Sequence, residues 1–404
     1  MMNNNAMGII FPNSFDKLLG NLVSLRTMAS MPFASRYRLG DFVLSSMSNS
    51  GISDVVVLPK NNYLSLMEHL GTGREWDLAR KNGGVQLIPP FAENGNKVAA
   101  GRIDSLANVL RLLKTKKAKY VVLADANLAV NFDFNAMIEA HIASGADVTA
   151  AYNVAELPES FVNSEDIYKD FYYSFDMAED GRVTEIQVNP TEGTLNLAMN
   201  YFVMDRELLI EKVQYAFNHG QTHFTRDLLW GNKETLKIYG YKYEGYVGRV
   251  CSINSYFYEN MALLEDAKLD ALFAGNSIYT KVYDDNPTRY IAGAKVKNAM
   301  IADGCVIEGE VENCVIFRGV KVAKGAKVTN SILMDGTVIE ADATVDYMIV
   351  DKNVTISAGK TMKGDANYPV YLVKCPSLSH LFTSLREMRM PRTLLSPITM
   401  RHIR

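Results

Sequence analysis

Aliphatic side chains recur with a fixed period through the last third of the chain. Ile316, Val322 and Val328 are followed by Leu333, Ile339 and Val345, then by Val350, Ile356 and Met362. The steps are six, six and five, and each set lies 17 residues after the last. A fixed internal period of this kind means stacked supersecondary units. Six-residue steps fit hexapeptide repeats, in which three steps make one triangular coil with one inward side chain per face. Gly304, Gly309, Gly319, Gly325 and Gly336 supply the turns between them. Three sets in one register argue against an ordinary antiparallel sandwich. A weaker set begins at Ile301 and Ile307, so the pattern predicts a left-handed parallel β-helix of roughly four coils. The open ends of such a helix need covering, and docking against the rest of the chain or another subunit is the expected cap.

The preceding residues follow a different rule. DVVVLPK (54–60), KYVVLAD (119–125) and ADVTAAYN (146–153) are Val-rich and nearly continuous, as buried parallel strands are. Between them, Ser105–Leu113 and Ala136–Ala143 carry apolar residues at helical spacing, with Asp104 as a candidate cap for the first. Strand and helix alternate, which predicts an α/β domain on a mostly parallel, Rossmann-like sheet. Ligands in such sheets sit beyond the carboxyl ends of the strands, so the loops at 11–18 and 125–131 are the places to look for chemistry. The expected division is an α/β domain over 1–255, a linker over 256–290, the β-helix over 291–370 and a basic tail over 371–404. That tail holds six Lys/Arg and one acid, and residues 378–390 have the pattern of a short amphipathic helix.

The totals exclude several classes. A net charge of −3 leaves no global basic field for nucleic acid or an anionic membrane. No run of 18 apolar residues is present, and the start MMNNNAMGIIF lacks the basic and apolar regions of a secretory signal. The four cysteines form no CxxC pair, consistent with buried thiols in a cytoplasmic chain.

PFASRYRLGDFVLSSMSNSGI (32–52) and HLGTGREWDLARKNGG (69–84), followed by a hexapeptide β-helix, resemble the bacterial ADP-glucose pyrophosphorylase (glucose-1-phosphate adenylyltransferase) family. The resemblance covers about residues 6–370. It implies a nucleotidyltransferase-like first domain. The family's reaction joins ATP and glucose 1-phosphate to give ADP-glucose and pyrophosphate. Attack of one phosphate on another gathers negative charge, which backbone N–H groups, cations and Mg²⁺ must neutralise.

Set against that family, the chain departs at each reacting position. The glycine-rich phosphate loop falls on NSFDKL (13–18), which contains no glycine and carries Asp16. The family's loop arginine falls on Leu18 and its following lysine on Met28. An ungapped count back from Phe132–Asp133 puts the first metal carboxylate at Asn127, with Asp125 two residues away as the alternative. The second metal carboxylate falls on Arg249, expected either to pair with a phosphate or acid or to lie solvated. The sugar-phosphate lysine falls on Asn189, and a family glycine on Asn200. Asp104 keeps the acid of the family's GTAD segment, while Arg102 replaces its threonine. The remaining substrate-like cleft is then Asp104, Asp125 and Asn200.

Within the family the chain looks most like its GlgD-type, non-catalytic members. That likeness implies a regulatory subunit that fills a slot in a hetero-oligomer, expected to be a tetramer, with a catalytic paralogue in glycogen biosynthesis. No metal or cofactor is expected for this chain, Mg²⁺ belonging to the catalytic partner. A residual sugar-phosphate effector site is expected around Arg36, with Arg38 and Arg74 adding positive charge; a structural alternative is Arg36 stacked on Tyr37 or paired with Asp41. An active site rearranged around Asp125, and a nucleotide-sugar sensor, are the competing functions. A hexapeptide acyltransferase is disfavoured because no histidine lies in 290–370.

Overall fold

The computed structural model of the chain describes residues 5–90, 99–156, 172–190 and 193–373. The tail beyond 373, with its expected helix at 378–390, lies outside the described residues. The Val-rich runs form the centre of a nine-stranded sheet. Its strands are β1 (Ala6–Phe11), β2 (Asp54–Val57), β3 (Gly84–Leu87), β4 (Tyr120–Asp125), β5 (Val148–Glu156), β6 (Tyr173–Met177), β7 (Val183–Val188), β8 (Thr194–Asp205) and β9 (Ile238–Lys242). The order is β7-β6-β8-β4-β1-β2-β3, with β5 beside β8 and β9 beside β5.

Strands β1 to β4 run parallel, as the sequence predicts. The run at 146–153 does not fit that expectation. It becomes β5, which pairs antiparallel with β8 and parallel only with β9. Its residues Val148, Ala150 and Ala151 are buried on both faces. A strand buried on both faces reads the same in either direction, so composition alone could not tell the two apart.

The expected helix at 105–113 is two helices, Arg102–Ala107 and Leu110–Thr115, separated at Asn108–Val109. The apolar spacing continues across the break because Ile103, Leu106, Leu110 and Leu113 face one shared core. The second helix, Phe134–Ser144, is capped by Asp133, which accepts from the Asn135 and Ala136 N–H groups.

The β-helix follows the period closely. Glu310–Ile316 pairs in parallel with Lys327–Leu333, and Val311 faces Val328, 17 residues on. Eight of the nine inward aliphatic residues are buried; Met362 is half-buried. Each buried Val, Leu or Ile contributes roughly 1.5–3 kcal/mol by leaving water, so the periodic residues are themselves the stabilising core. The weaker first set has a physical cause: Ile301 faces Ile316, a coil of 15 residues instead of 17.

Two expectations about the junction are corrected. Residues 256–290 are not a plain linker. They hold the end of the helix Ile253–Ala262 and all of Asp266–Phe273, whose Tyr256, Phe257 and Leu272 are buried. The α/β domain also docks on the flank of the β-helix and not on its end. Val315, Ile332 and Ile349, one from each of three coils, pack with Leu19, Met28, Phe33, Phe42 and Tyr256 in one cluster. The flank residues are apolar because both domains share them as core.

Candidate functional site

Strands β1 and β4 end side by side, with Phe11 opposite Asp125. Beyond their carboxyl ends lies a cleft of about 480 Å³. The loop after β1, Lys60 beyond the end of β2, residues 99–102, Tyr173, Asn200 and Phe224–Thr225 line it.

The loop is folded onto itself. Phe15 adopts a left-handed φ of 61°, and the chain then enters a 3-10 run over Asp16–Val23. The Met28 N–H donates to Asp16 Oδ1 at 2.9 Å, and Asn13 Nδ2 donates to Asp16 Oδ2 at 2.6 Å. A backbone amide at the position where the family carries its lysine is thus taken by the chain's own carboxylate. Leu18 lies half-buried in the 3-10 run, and Met28 is fully buried against the β-helix. Neither could reach a phosphate.

Burial pushes the Asp16 carboxyl up to about 6, against the opposing pull of Asn13, the Met28 amide and Lys60. A raised acid favours the folded state when protonated. Stability is therefore expected to fall as pH rises from the unfolded value of 3.8 through 6. Asp16→Asn removes that loss, with a ceiling of about 3 kcal/mol above pH 7 and roughly half of it after solvent screening. Urea unfolding of both forms at pH 4.5 and 7.5 checks it; the gain must appear mainly at the higher pH.

Asp125 is fully buried and accepts from Arg102 Nη2 and from Asn200 Nδ2, the latter at 2.9 Å. Its carboxyl is pushed up by burial and pulled down chiefly by Arg102. The Arg102 guanidinium also lies 5.5 Å from the Phe11 ring centroid. Lys60 Nζ donates to the Ala100 carbonyl at 3.3 Å, and burial lowers its ammonium below the usual range. Asn200 sits where β8 breaks register, at a φ of 57°. Asparagine is among the residues that best tolerate that conformation, which explains how it can replace a family glycine. Asp104 does serve helix capping, but from the third helical position: its Oδ2 accepts from the Ala100 and Gly101 amides at 2.8 and 3.1 Å.

The other aligned positions turn away from the cleft. Asn127 Nδ2 donates to the Val250 carbonyl at 3.2 Å, and its side chain is off the cleft wall. Asp125 lies behind that wall, bonded to its Arg102 and Asn200, and the carboxylate on the wall itself is Asp16. The ungapped count started beyond a short pairing of Leu128–Ala129 with Gly248–Arg249, across which residue spacing need not be kept. Arg249 is 7% exposed, so the solvated alternative does not hold, and its guanidinium bonds to neutral oxygens while Glu259 attracts it from nearby. Its Nη1 donates to the Ala198 carbonyl at 2.9 Å and its Nη2 to Asn153 Oδ1 at 2.7 Å. Asn189 follows β7 at a φ of 48°, where its N–H donates to the Tyr172 carbonyl. A divalent ion of the family type does not fit these residues. The strand-end carboxylate, Asp125, is bonded to an arginine, Asp16 on the wall is held by Asn13 and the Met28 amide, and the second metal position holds a buried arginine.

Arg36 and Arg38 meet in a second cleft, of about 240 Å³, between the two domains. Arg36 is paired neither with Tyr37 nor with Asp41. Its Nη2 lies 3.1 Å from Asp303 on the first β-helix coil. Arg38 Nη1 donates to the Ser65 carbonyl at 2.8 Å, and its own N–H to Asp41 Oδ2. Equivalent turns of successive coils present Asp303, Arg318, Asp335 and Lys352, alternating in sign along this wall. Arg74 is exposed on the turn Arg74–Trp76 and does not line the cleft. The motif beginning at His69 is in large part structural. His69 Nε2 sits 2.6 Å from Asp41, both buried, and burial lowers the imidazole's proton affinity. Sequence reasoning missed Lys60, although it follows the carboxyl end of β2 and the strand-end rule points there. It also missed Thr225, for which no local signal exists.

Residues 22–226 match a family model described as nucleotidyl transferase, and 281–368 match a GlmU-like C-terminal hexapeptide model. The latter supports the left-handed form of the β-helix. The chain is 32% identical over 375 residues to a glycogen biosynthesis protein GlgD of Bacillus subtilis, covering 93% of this chain and 97% of that one. It is 35% identical over 325 residues to the GlgD protein of Geobacillus stearothermophilus, covering 80% and 82%. It is 30% identical over 372 residues to a glucose-1-phosphate adenylyltransferase of Bacillus cytotoxicus, covering 90% and 96%. A cleft of nucleotidyltransferase form whose reacting positions are occupied by the chain's own contacts agrees with these matches, and the chain belongs to the ADP-glucose pyrophosphorylase family as a GlgD-like member.

Proposed function

We propose that this chain is a catalytically silent, regulatory subunit of a bacterial glucose-1-phosphate adenylyltransferase, acting in glycogen biosynthesis inside the cytoplasm. The observation that carries the reading is the Arg102–Asp125 pair: the strand-end carboxylate behind the cleft wall is neutralised by a side chain of the same protein. With the phosphate loop closed on Asp16, the cleft has neither an open amide nest nor an anionic grip for Mg²⁺. The names of its relatives place one group in glycogen synthesis and the other in adenylyl transfer. The partner is a catalytic paralogue in a hetero-oligomer, most simply a tetramer, and that partner holds the metal. An inactive copy in such an assembly acts through its interfaces, biasing the equilibrium between states of the whole. The interdomain cleft at Arg36 and Arg38 is the place for a sugar-phosphate effector. Its acids mean that an anion must displace Asp303 from Arg36 to bind.

Co-expression with the catalytic paralogue of the same genome, followed by purification on a tag carried by this chain alone, tests the reading. A stable complex with an altered activation curve for a sugar phosphate is expected. Recovery of the tagged chain alone, with the paralogue's kinetics unchanged by its addition, would refute it.

A further inference from the structure

Leu25 is 79% exposed, more than any other large apolar side chain among the described residues. It does not stand alone. Asn62 Nδ2 donates to the Val23 carbonyl at 3.0 Å, which sets the helix Leu64–Leu70 beside the segment that holds Leu25. Leu64 and Met67, also exposed, lie three residues apart and share one face of that helix. Lys281 Nζ donates to the Glu68 carbonyl at 2.9 Å, which brings the exposed Val282 to the helix as well. The same helix borders the interdomain cleft, where its Ser65 carbonyl accepts from Arg38 and its His69 lies on the wall. Apolar side chains gathered in this way on a surface mark a place of contact.

The described chain ends at the same place. The Asp351 N–H donates to the Leu372 carbonyl at 2.8 Å, and Asp351 Oδ1 holds Arg26, the neighbour of Leu25. Val373 packs in one cluster with Leu22 and Val23. The sequence beyond it offers Ser377 as a helix cap, places Leu378, Leu381, Phe382, Leu385 and Met388 at helical spacing, and stops the run at Pro391. From Val373 to Leu378 the chain can span about 17 Å, and a helical stripe from Leu378 to Met388 is about 15 Å long. A helix of that length is marginal in water by itself and forms when its apolar face is covered. Arg389 closes the same face, and Glu68, exposed on the helix Leu64–Leu70, is an acid for it to meet.

We propose that the surface formed by Leu25, Leu64 and Met67 is the docking site of the chain's own residues 377–390, which lie on it as an amphipathic helix and strap the β-helix to the α/β domain at the rim of the interdomain cleft. The inference goes beyond the regulatory reading and does not rest on it. Hydrogen exchange of the full-length chain, purified alone, tests it. The amides of 379–390 are expected to exchange at least about tenfold more slowly than in a free peptide of the same sequence. Leu64→Glu combined with Met67→Glu is expected to return them to the free rate while the sheet and the β-helix keep their protection, because both side chains are exposed. A photo-crosslinking side chain placed at Met67 in the otherwise unchanged chain is expected to join 377–390 of the same molecule, which decides the matter even if the double variant misfolds. The proposal is overturned if 379–390 exchange at the free rate, if their protection survives the double variant, or if the crosslinks miss the tail or join two copies of the chain.

Discussion

Purified alone and given ATP, glucose 1-phosphate and Mg²⁺, the chain is expected to release pyrophosphate at least about 10⁵-fold more slowly than a catalytic relative. The figure follows from what is absent. One oriented donor to a developing oxyanion is worth about 10²–10³ in rate. The loop carries no glycine and its Asp16 has taken the Met28 amide, the sugar-phosphate lysine falls on Asn189, and the metal positions are held by Arg102 and Arg249. Two such losses already account for the factor, and the metal adds to it. Single reversions are expected to recover nothing, because groups that act as a unit fail as a unit. Arg249→Asp is the clearest case: it would set a second buried acid near Asp125 and leave Asn153 and the Ala198 carbonyl without their donor. Pyrophosphate release by a coupled assay, within tenfold of a catalytic relative's, would show that the site has been rearranged and not silenced.

The architecture was legible because it is written in periods. The 17-residue repeat and the Val-rich runs specify inward side chains, and those side chains are buried where the pattern put them. Direction was not legible: β5 buries both faces whether its neighbour runs parallel or antiparallel. At the site, sequence could say which groups were missing, but not what had replaced them. Leu18 and Met28 are absent functions visible by counting. The Arg102–Asp125 contact joins residues 23 apart through the end of one strand and the start of one helix, and no local spacing encodes it. Asn127 and Asp125 show the same limit from the other side. Counting from a distant anchor cannot decide which of two residues adjoins a cleft, whereas the bonds of Asp125 to Arg102 and Asn200 on its wall do so directly.

Replacing Arg26 by alanine is expected to destabilise the chain by about 3–5 kcal/mol, the usual result of leaving one buried charge without its partner. Arg26 Nη2 lies 2.7 Å from Asp351 Oδ1, and the two residues are 8% and 7% exposed. Asp351 would keep the Lys352 N–H as a donor but no opposite charge at contact distance. The pair has a second consequence, because Arg26 lies two residues before the amide that closes on Asp16. It ties the loop under the cleft to the third of the coils built on the 17-residue sets. Loss of the tie should therefore speed hydrogen exchange at the Met28 amide as well as lower the urea midpoint. Replacing both partners, Arg26→Met with Asp351→Leu, should restore much of the stability, since apolar pairs often substitute for buried ions without loss. It should not restore slow exchange at Met28 to the same degree, because packing does not fix the loop as a directed hydrogen bond does. If Arg26→Ala costs less than about 1 kcal/mol, the pair behaves as a surface contact and the link between cleft and β-helix fails with it.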